Sequence, residues 1–165
     1  MHLILVRHAA PAVTPDTEAT AWPLTAAGRR AAEALADKLR VHADVVVSSQ
    51  ERKAIDTARP IAEKSGLTVE LDARLTEARR QWVDGDYRHA ALAWLNGDSP
   101  ATGWEPRKSV VDRWDSAIVD LPAAEVAVVV GHGLAMTAWA ADRFGIDPAS
   151  FWTRLETPGV RIFQV

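Results

Sequence analysis

The chain has 165 residues, 48% hydrophobic and 25% charged, with 22 acids against 19 bases for a net charge of -3, and no cysteine. That length suits one domain over residues 1–165, able to bury about 70% of its unfolded surface without a covalent staple. The acidic excess argues against nucleic acid as a partner, the missing cysteines exclude disulfides, zinc thiolates and thiol nucleophiles, and no stretch approaches the roughly 20 apolar residues of a membrane span.

In chain order, the first apolar run covers residues 3–6 (Leu-Ile-Leu-Val), too short for a signal-peptide core, so the expected setting is the cytoplasm. Residues 45–47 and 126–130 are similar runs of mostly β-branched side chains. Without polar alternation, all three read as strands buried on both faces. Between them, a helix is predicted over 25–40, capped by Thr25, with Ala27, Ala31, Leu35 and Leu39 as its apolar face. A second, over 51–64, uses Ala54, Ile55, Ala58, Ile61 and Ala62, with a kink expected at Pro60 rather than an end. Val110, Val111, Trp114, Ile118 and Leu121 mark a third, and residues 134–144 a fourth that stops at Gly145. Residues 160–165 alternate like a closing edge strand. Strands alternating with helices imply a three-layer α/β sandwich with a largely parallel sheet.

Of seven tryptophans, Trp94, Trp114, Trp139 and Trp152 sit in apolar or helix-like contexts and are expected to pack. Trp82 and Trp104 lie in Gly- and Pro-punctuated segments, which makes them candidates for a pocket mouth. The stretch from Trp82 to Trp104 is a candidate lid.

Each strand run ends in polar residues: Arg7-His8, Ser48-Ser49 and Gly131-His132-Gly133. In open α/β sheets ligands bind beyond the carboxyl ends of the strands, so these groups are placed to converge. Gly-His-Gly also allows tight turns and close backbone approach. His2, His42 and His89 lack such surroundings and read as solvated. Two histidines could ligate a metal together with a carboxylate, but the fixed cation of Arg7 disfavours one. A guanidinium beside two imidazoles suits a phosphate, whose oxygens match its forked donors. A neutral imidazole with a free ring nitrogen could then attack phosphorus, and nearby positive charge would help to keep it neutral.

Leu5-Val6-Arg7-His8, Leu24-Thr25-Ala26-Ala27-Gly28-Arg29-Arg30, Ser48-Ser49 leading to Lys53-Ala54 and Thr57-Ala58, Leu75-Thr76-Glu77, and Val130-Gly131-His132-Gly133 follow one another over nearly the whole chain. In this order and spacing they resemble the histidine phosphatase superfamily, also called phosphoglycerate-mutase-like. The resemblance implies a three-layer sandwich around a mixed, mostly parallel central sheet. It implies His8 as the nucleophile, Arg7 and His132 as holders of the phosphoryl oxygens, and Glu77 as the acid that protonates the leaving oxygen and then activates water. Burial is expected to keep Glu77 protonated for its first task. No cofactor and no metal are implied.

Two positions depart from the family pattern. Ala9 follows His8 where glycine is usual, and Lys53 stands where the family has a second phosphate-binding arginine. Lysine offers a point charge rather than a fork, so a weaker phosphate grip is expected. Lys53 rather than its neighbour Arg52 is expected to face the phosphate, since helix neighbours diverge by roughly 100°. Gly103-Trp104-Glu105 followed by Arg113 resembles a looser block on the substrate side, with surface charges at a helix start as the other reading of Glu105 and Arg113. The activity implied is metal-independent hydrolysis of a phosphorylated small molecule or phosphoprotein through a phosphohistidine. Mutase-type transfer, which generally goes with longer insertions, and a phosphate-recognising module without turnover are the alternatives. A metal-dependent hydrolase using His8, His132 and Glu77 is disfavoured by Arg7.

Overall fold

Three of the five strands described here are the apolar runs read from the sequence: β1 (His2–Arg7), β2 (Val45–Ser49) and β4 (Val126–Gly131). With β3 (Glu70–Asp72) and β5 (Gly159–Gln164) they make one sheet in the order β3-β2-β4-β1-β5. All pairings are parallel except that of the edge strand β5 with β1. The computed structural model describes residues 1–39, 41–97 and 103–165.

Alternate strand side chains feed two separate cores. Leu3, Leu5, Val45, Val47, Ala127 and Val129 face one side, where they meet helices α3 (Tyr87–Asn96), α4 (Arg107–Val119), α5 (Gly133–Phe144) and α6 (Pro148–Thr153). Ile4, Val6, Val46, Val128 and Val130 face the other, against α1 (Ala26–Leu39) and α2 (Arg52–Lys64). Each buried Val, Leu or Ile contributes roughly 1.5–3 kcal/mol, and a strand with both faces covered gains this at every residue. The expected three-layer α/β sandwich is the fold observed. No helix among the described residues is long and apolar enough to cross a membrane.

The helices follow the sequence except in the face that α1 buries and in the presence of α3 within the expected lid. The Thr25 hydroxyl caps α1 by accepting the Gly28 N–H at 2.9 Å, but the buried stripe is Gly28, Ala32 and Ala36, one residue on from the predicted face. Gly28 sets this rotation, because a Cβ there would lie 2.3 Å from the Ala10 carbonyl oxygen. Arg40, the expected end of that helix, lies outside the described residues. α2 continues through Pro60, and α5 stops at Gly145 in the left-handed conformation. The segment expected to be a lid contains α3, whose Ala91, Trp94 and Leu95 are core residues. Residues 98–102 of that segment lie outside the described residues.

The loop after β1 is closed at its neck. Thr25 N–H donates to Ala10 O at 3.0 Å and Ala12 N–H to Pro23 O at 2.7 Å, with Pro11 bridged to Leu24.

Candidate active site

The C-terminal ends of β1, β2 and β4 bring their polar residues together. Arg7 and His8 leave β1, Ser49 ends β2 just ahead of Glu51 and Lys53 on α2, and His132 joins β4 to α5. The His8 and His132 rings lie 5.1 Å apart between centroids. The backbone at His8 is pinned from both sides. His8 N–H donates to Gly131 O at 3.0 Å, and Ala9 N–H to Thr57 Oγ1 at 2.9 Å, whose own proton goes to Lys53 O at 2.7 Å.

His8 is buried, and its Nδ1 lies 2.8 Å from Ala9 O. A carbonyl accepts only, so Nδ1 carries the proton and Nε2 keeps its lone pair. Burial first, then His132, Lys53 and Arg7, hold the His8 ring well below the usual histidine range despite the opposing bond to Ala9. His132 is pulled down to about 3, chiefly by burial, with Lys53, Arg113 and Arg80 adding to it and Glu77 opposing. Both imidazoles are therefore neutral at pH 7. The expected effect of cationic neighbours is present, but desolvation exceeds it.

His132 Nε2 lies 2.9 Å from Ser49 Oγ, which itself accepts the Glu51 N–H at 3.2 Å. Among the described residues, three buried side-chain polar atoms have no hydrogen-bond partner, and two of them are Arg7 Nε and His132 Nδ1. Buried donors left in this condition cost about 1–3 kcal/mol each, and an acceptor-rich anion would satisfy them. Arg7 Nη1 is spent on Leu155 O at 2.9 Å. The glycines around His132 serve packing rather than turning. A Cβ at Gly131 would lie 2.6 Å from the Trp114 ring, and one at Gly133 3.1 Å from Arg7 Nε.

Glu77 reaches the N-terminus of α5. Its Oε1 accepts from Ala135 N–H at 2.8 Å and from Ala78 N–H at 2.9 Å, and its Oε2 from Leu134 N–H at 3.2 Å. The side chain is half-buried, not enclosed as expected, and its charge reaches Arg7, Tyr87 and His132.

Lys53 is buried, while Arg52 points to solvent and pairs with Asp56. Lys53 Nζ donates to Ala19 O at 2.7 Å and forms an ion pair with Glu51. Sequence reasoning missed Glu51. It is buried at the N-cap of α2, binds Lys53 through one oxygen, and with the other accepts the Glu77 N–H at 2.8 Å while lying 3.4 Å from His132 Nε2. An acid two residues before a lysine at a helix start was the signal available.

Two residues expected on the substrate side lie elsewhere. Trp104 is 7% exposed and packs on Trp94 with ring centroids 6.2 Å apart. Arg113 holds the chain behind Glu77, donating to Arg74 O, Thr76 O and Glu77 O at 2.6, 2.7 and 3.0 Å. The remaining face of its guanidinium grips buried Glu105 at 3.0 and 3.1 Å, so neither is a surface charge. Trp82, by contrast, is 59% exposed and lines a cavity of about 650 Å³ together with Trp22, Arg80 and Tyr87. His2, His42 and His89 are exposed, and Trp94, Trp114, Trp139 and Trp152 are buried, as expected.

The family model described as "Histidine phosphatase superfamily (branch 1)" matches residues 3–164. The glucosyl-3-phosphoglycerate phosphatase of Mycobacterium tuberculosis is 32% identical, over 85% of this chain and 70% of its own length. The native structure of a mycobacterial glucosyl-3-phosphoglycerate phosphatase superposes with a TM-score of 0.74 at 25% identity, covering 98% of this chain and 96% of that one. A phosphoserine phosphatase from Entamoeba histolytica shares the fold, with a TM-score of 0.76 at 21% identity over 99% of this chain and 90% of its own.

Proposed function

The chain belongs to branch 1 of the histidine phosphatase superfamily and is a phosphatase; on that premise we propose that it hydrolyses a small phosphate monoester in two steps through His8. The carrying observation is the pair of unpartnered buried donors, Arg7 Nε and His132 Nδ1, beside a neutral imidazole whose Nε2 is free. Ser49 Oγ, accepting the Glu51 N–H, can give its own proton to His132 Nε2, and in that arrangement the His132 proton sits on Nδ1, pointed at an acceptor yet to come.

In the first step His8 Nε2 attacks phosphorus, the N–P bond forms and the P–O bond to the leaving alcohol breaks. The Glu77 carboxyl gives that oxygen its proton. In the second step Glu77, now carboxylate, takes a proton from water as the hydroxide oxygen bonds to phosphorus. The N–P bond breaks, releasing inorganic phosphate and neutral His8. Splitting the displacement in this way replaces one difficult step with two easier ones. Arg7 and His132 stabilise the equatorial oxygens, which is most of what a protein contributes to phosphoryl transfer. Glu77 Oε2, with a single donor at 3.2 Å, is the oxygen free to handle the proton.

The reading needs no metal, since Arg7 supplies a fixed positive charge at the phosphoryl oxygens. A cavity of about 650 Å³ beside the site suits a small molecule better than a protein surface. His8→Ala is expected to abolish phosphate release, and turnover of the parent quenched in alkali to yield phosphate bound to His8 in a base-stable linkage that acid then releases. EDTA should leave the rate unchanged. Turnover by His8→Ala, or a rate that collapses with chelator and returns with added metal, overturns the proposal.

A further inference from the structure

The cavity beside the phosphate site has walls of a particular kind. Trp22 and Trp82 meet edge to face, with ring centroids 6.5 Å apart and planes at 83°. They form a corner that offers one indole face and one indole edge. Trp22 is fixed there, since its Nε1 donates to Thr14 O at 3.1 Å and Thr17 O at 2.9 Å and its ring lies 5.6 Å from Lys53 Nζ. Trp82 stays exposed although Trp94, Trp104, Trp114, Trp139 and Trp152 are all buried. Tyr87 carries the wall toward the phosphate site; burial first, then the charge of Glu77, push its hydroxyl up to about 12 against the opposing charges of Arg80 and Arg7, so that it is neutral.

The charges in the cavity select against an anion. Asp16 and Glu18 line it and are exposed. The cation that could answer a second anionic group, Arg80, stacks over Tyr87 at 5.0 Å and Trp104 at 5.8 Å. Lys53 is taken by Glu51 and Ala19 O. Among the described residues lining the cavity, a leaving group with its own carboxylate would meet two acids and a single cation, Arg80, already stacked on two rings, whereas an uncharged ring alcohol meets aromatic walls and two acceptors for its hydroxyls.

We propose that the corner of Trp22 and Trp82 receives the leaving group of the substrate, and that this group is an uncharged alcohol carrying a flat ring. The inference deepens the phosphatase reading and rests on it. The test compares kcat/KM for phenethyl phosphate, for n-hexyl phosphate (as apolar but without a ring, and with a leaving alcohol of like basicity) and for 3-phosphoglycerate as the anionic ester. The ring ester should exceed the hexyl ester by about tenfold, mostly through KM, as stacking on an aromatic wall contributes, and 3-phosphoglycerate should fall below both. Trp82→Ala, at an exposed position, should bring the ring-to-hexyl ratio toward one. Equal values for the two esters of uncharged alcohols, a preference for 3-phosphoglycerate, or a ratio untouched by Trp82→Ala overturns the proposal and leaves the phosphatase reading standing. No release from any of the three esters overturns both.

Discussion

Replacing Arg113 with alanine tests how Glu77 is held. The guanidinium makes two charge-assisted bonds to Glu105 and three to the carbonyls of Arg74, Thr76 and Glu77. Its side chain is 19% exposed against 3% for Glu105, so the loss strands a buried carboxylate. Breaking such a pair costs about 3–5 kcal/mol when fully buried, and the partial exposure of Arg113 places the expected loss near the lower end, about 3 kcal/mol. For a chain of this size that lowers Tm by about 6–12 °C. Released from its three carbonyl bonds, the chain at Glu77 shifts, and a displacement of about 1 Å at a reacting group lowers kcat by up to about 100-fold. KM should change little, because Arg113 does not face the ester. A pH signature accompanies this. Burial pushes the Glu105 carboxyl up, but the Arg113 bond, the Arg79 N–H and both charges outweigh it and hold it below its usual range. The resulting stability is complete above the ordinary glutamate range and is lost as pH falls through the depressed value. In Arg113→Ala burial prevails and lifts the carboxyl above its usual range, so the sign reverses and stability falls as pH rises through the raised value. Urea titration read by tryptophan fluorescence, steady-state kinetics and the Glu105→Gln/Arg113→Ala double mutant, which should recover part of the stability, measure each quantity. A variant within about 0.5 kcal/mol of the parent that keeps its kcat refutes the reasoning.

Three further outcomes are expected. Because His8 and His132 are both held below the usual histidine range in the folded state, the unfolded chain binds more protons, and stability should be complete above about pH 6.5 and fall as pH drops toward the folded values; thermal unfolding from pH 8 to 4 measures this, and a flat profile contradicts it. Lys53→Arg adds a forked donor and should tighten inhibition by inorganic phosphate about fivefold, an extra hydrogen bond of about 1 kcal/mol, as read from inhibition constants; unchanged inhibition would place Lys53 outside the phosphate's reach. Gly133→Ala puts a Cβ 3.1 Å from Arg7 Nε and 3.3 Å from Trp152 Nε1, so kcat should fall by about tenfold while Tm drops by only a few degrees; an unaltered kcat would show that Arg7 has room to move.

The parts of this fold that could be read from the sequence are those where one-dimensional pattern and burial coincide. β1, β2 and β4 are covered on both faces, so their apolar runs are uninterrupted, and α5 ends where Gly145 can take a left-handed turn. β3 escaped notice because it is three residues long with no buried side chain. α3 was hidden by the glycines that bracket it, and α1 was turned by one residue because the approach of Gly28 to Ala10 is a tertiary contact. In the site, the sequence placed His8, His132 and Arg7 at strand ends because topology alone brings those ends together. The Glu51–Lys53–Glu77 cluster and the Arg113 bracket join residues 26 to 39 positions apart through main-chain groups, which carry no sequence signature. Trp104 looked like a pocket residue from its glycine neighbour, yet Trp94 on α3 covers it.

The neck that ties Ala10 to Thr25 and Ala12 to Pro23 separates two jobs. His8 takes its position from Gly131 and Thr57, both outside the loop, whereas Trp22, Asp16 and Glu18 all lie within it. The protein is thereby modular at small scale: residues 13–22 form a cassette that evolution, or an engineer grafting a different loop between the same two anchor points, can rewrite to choose another alcohol, provided the carbonyl that Ala19 offers to Lys53 is kept.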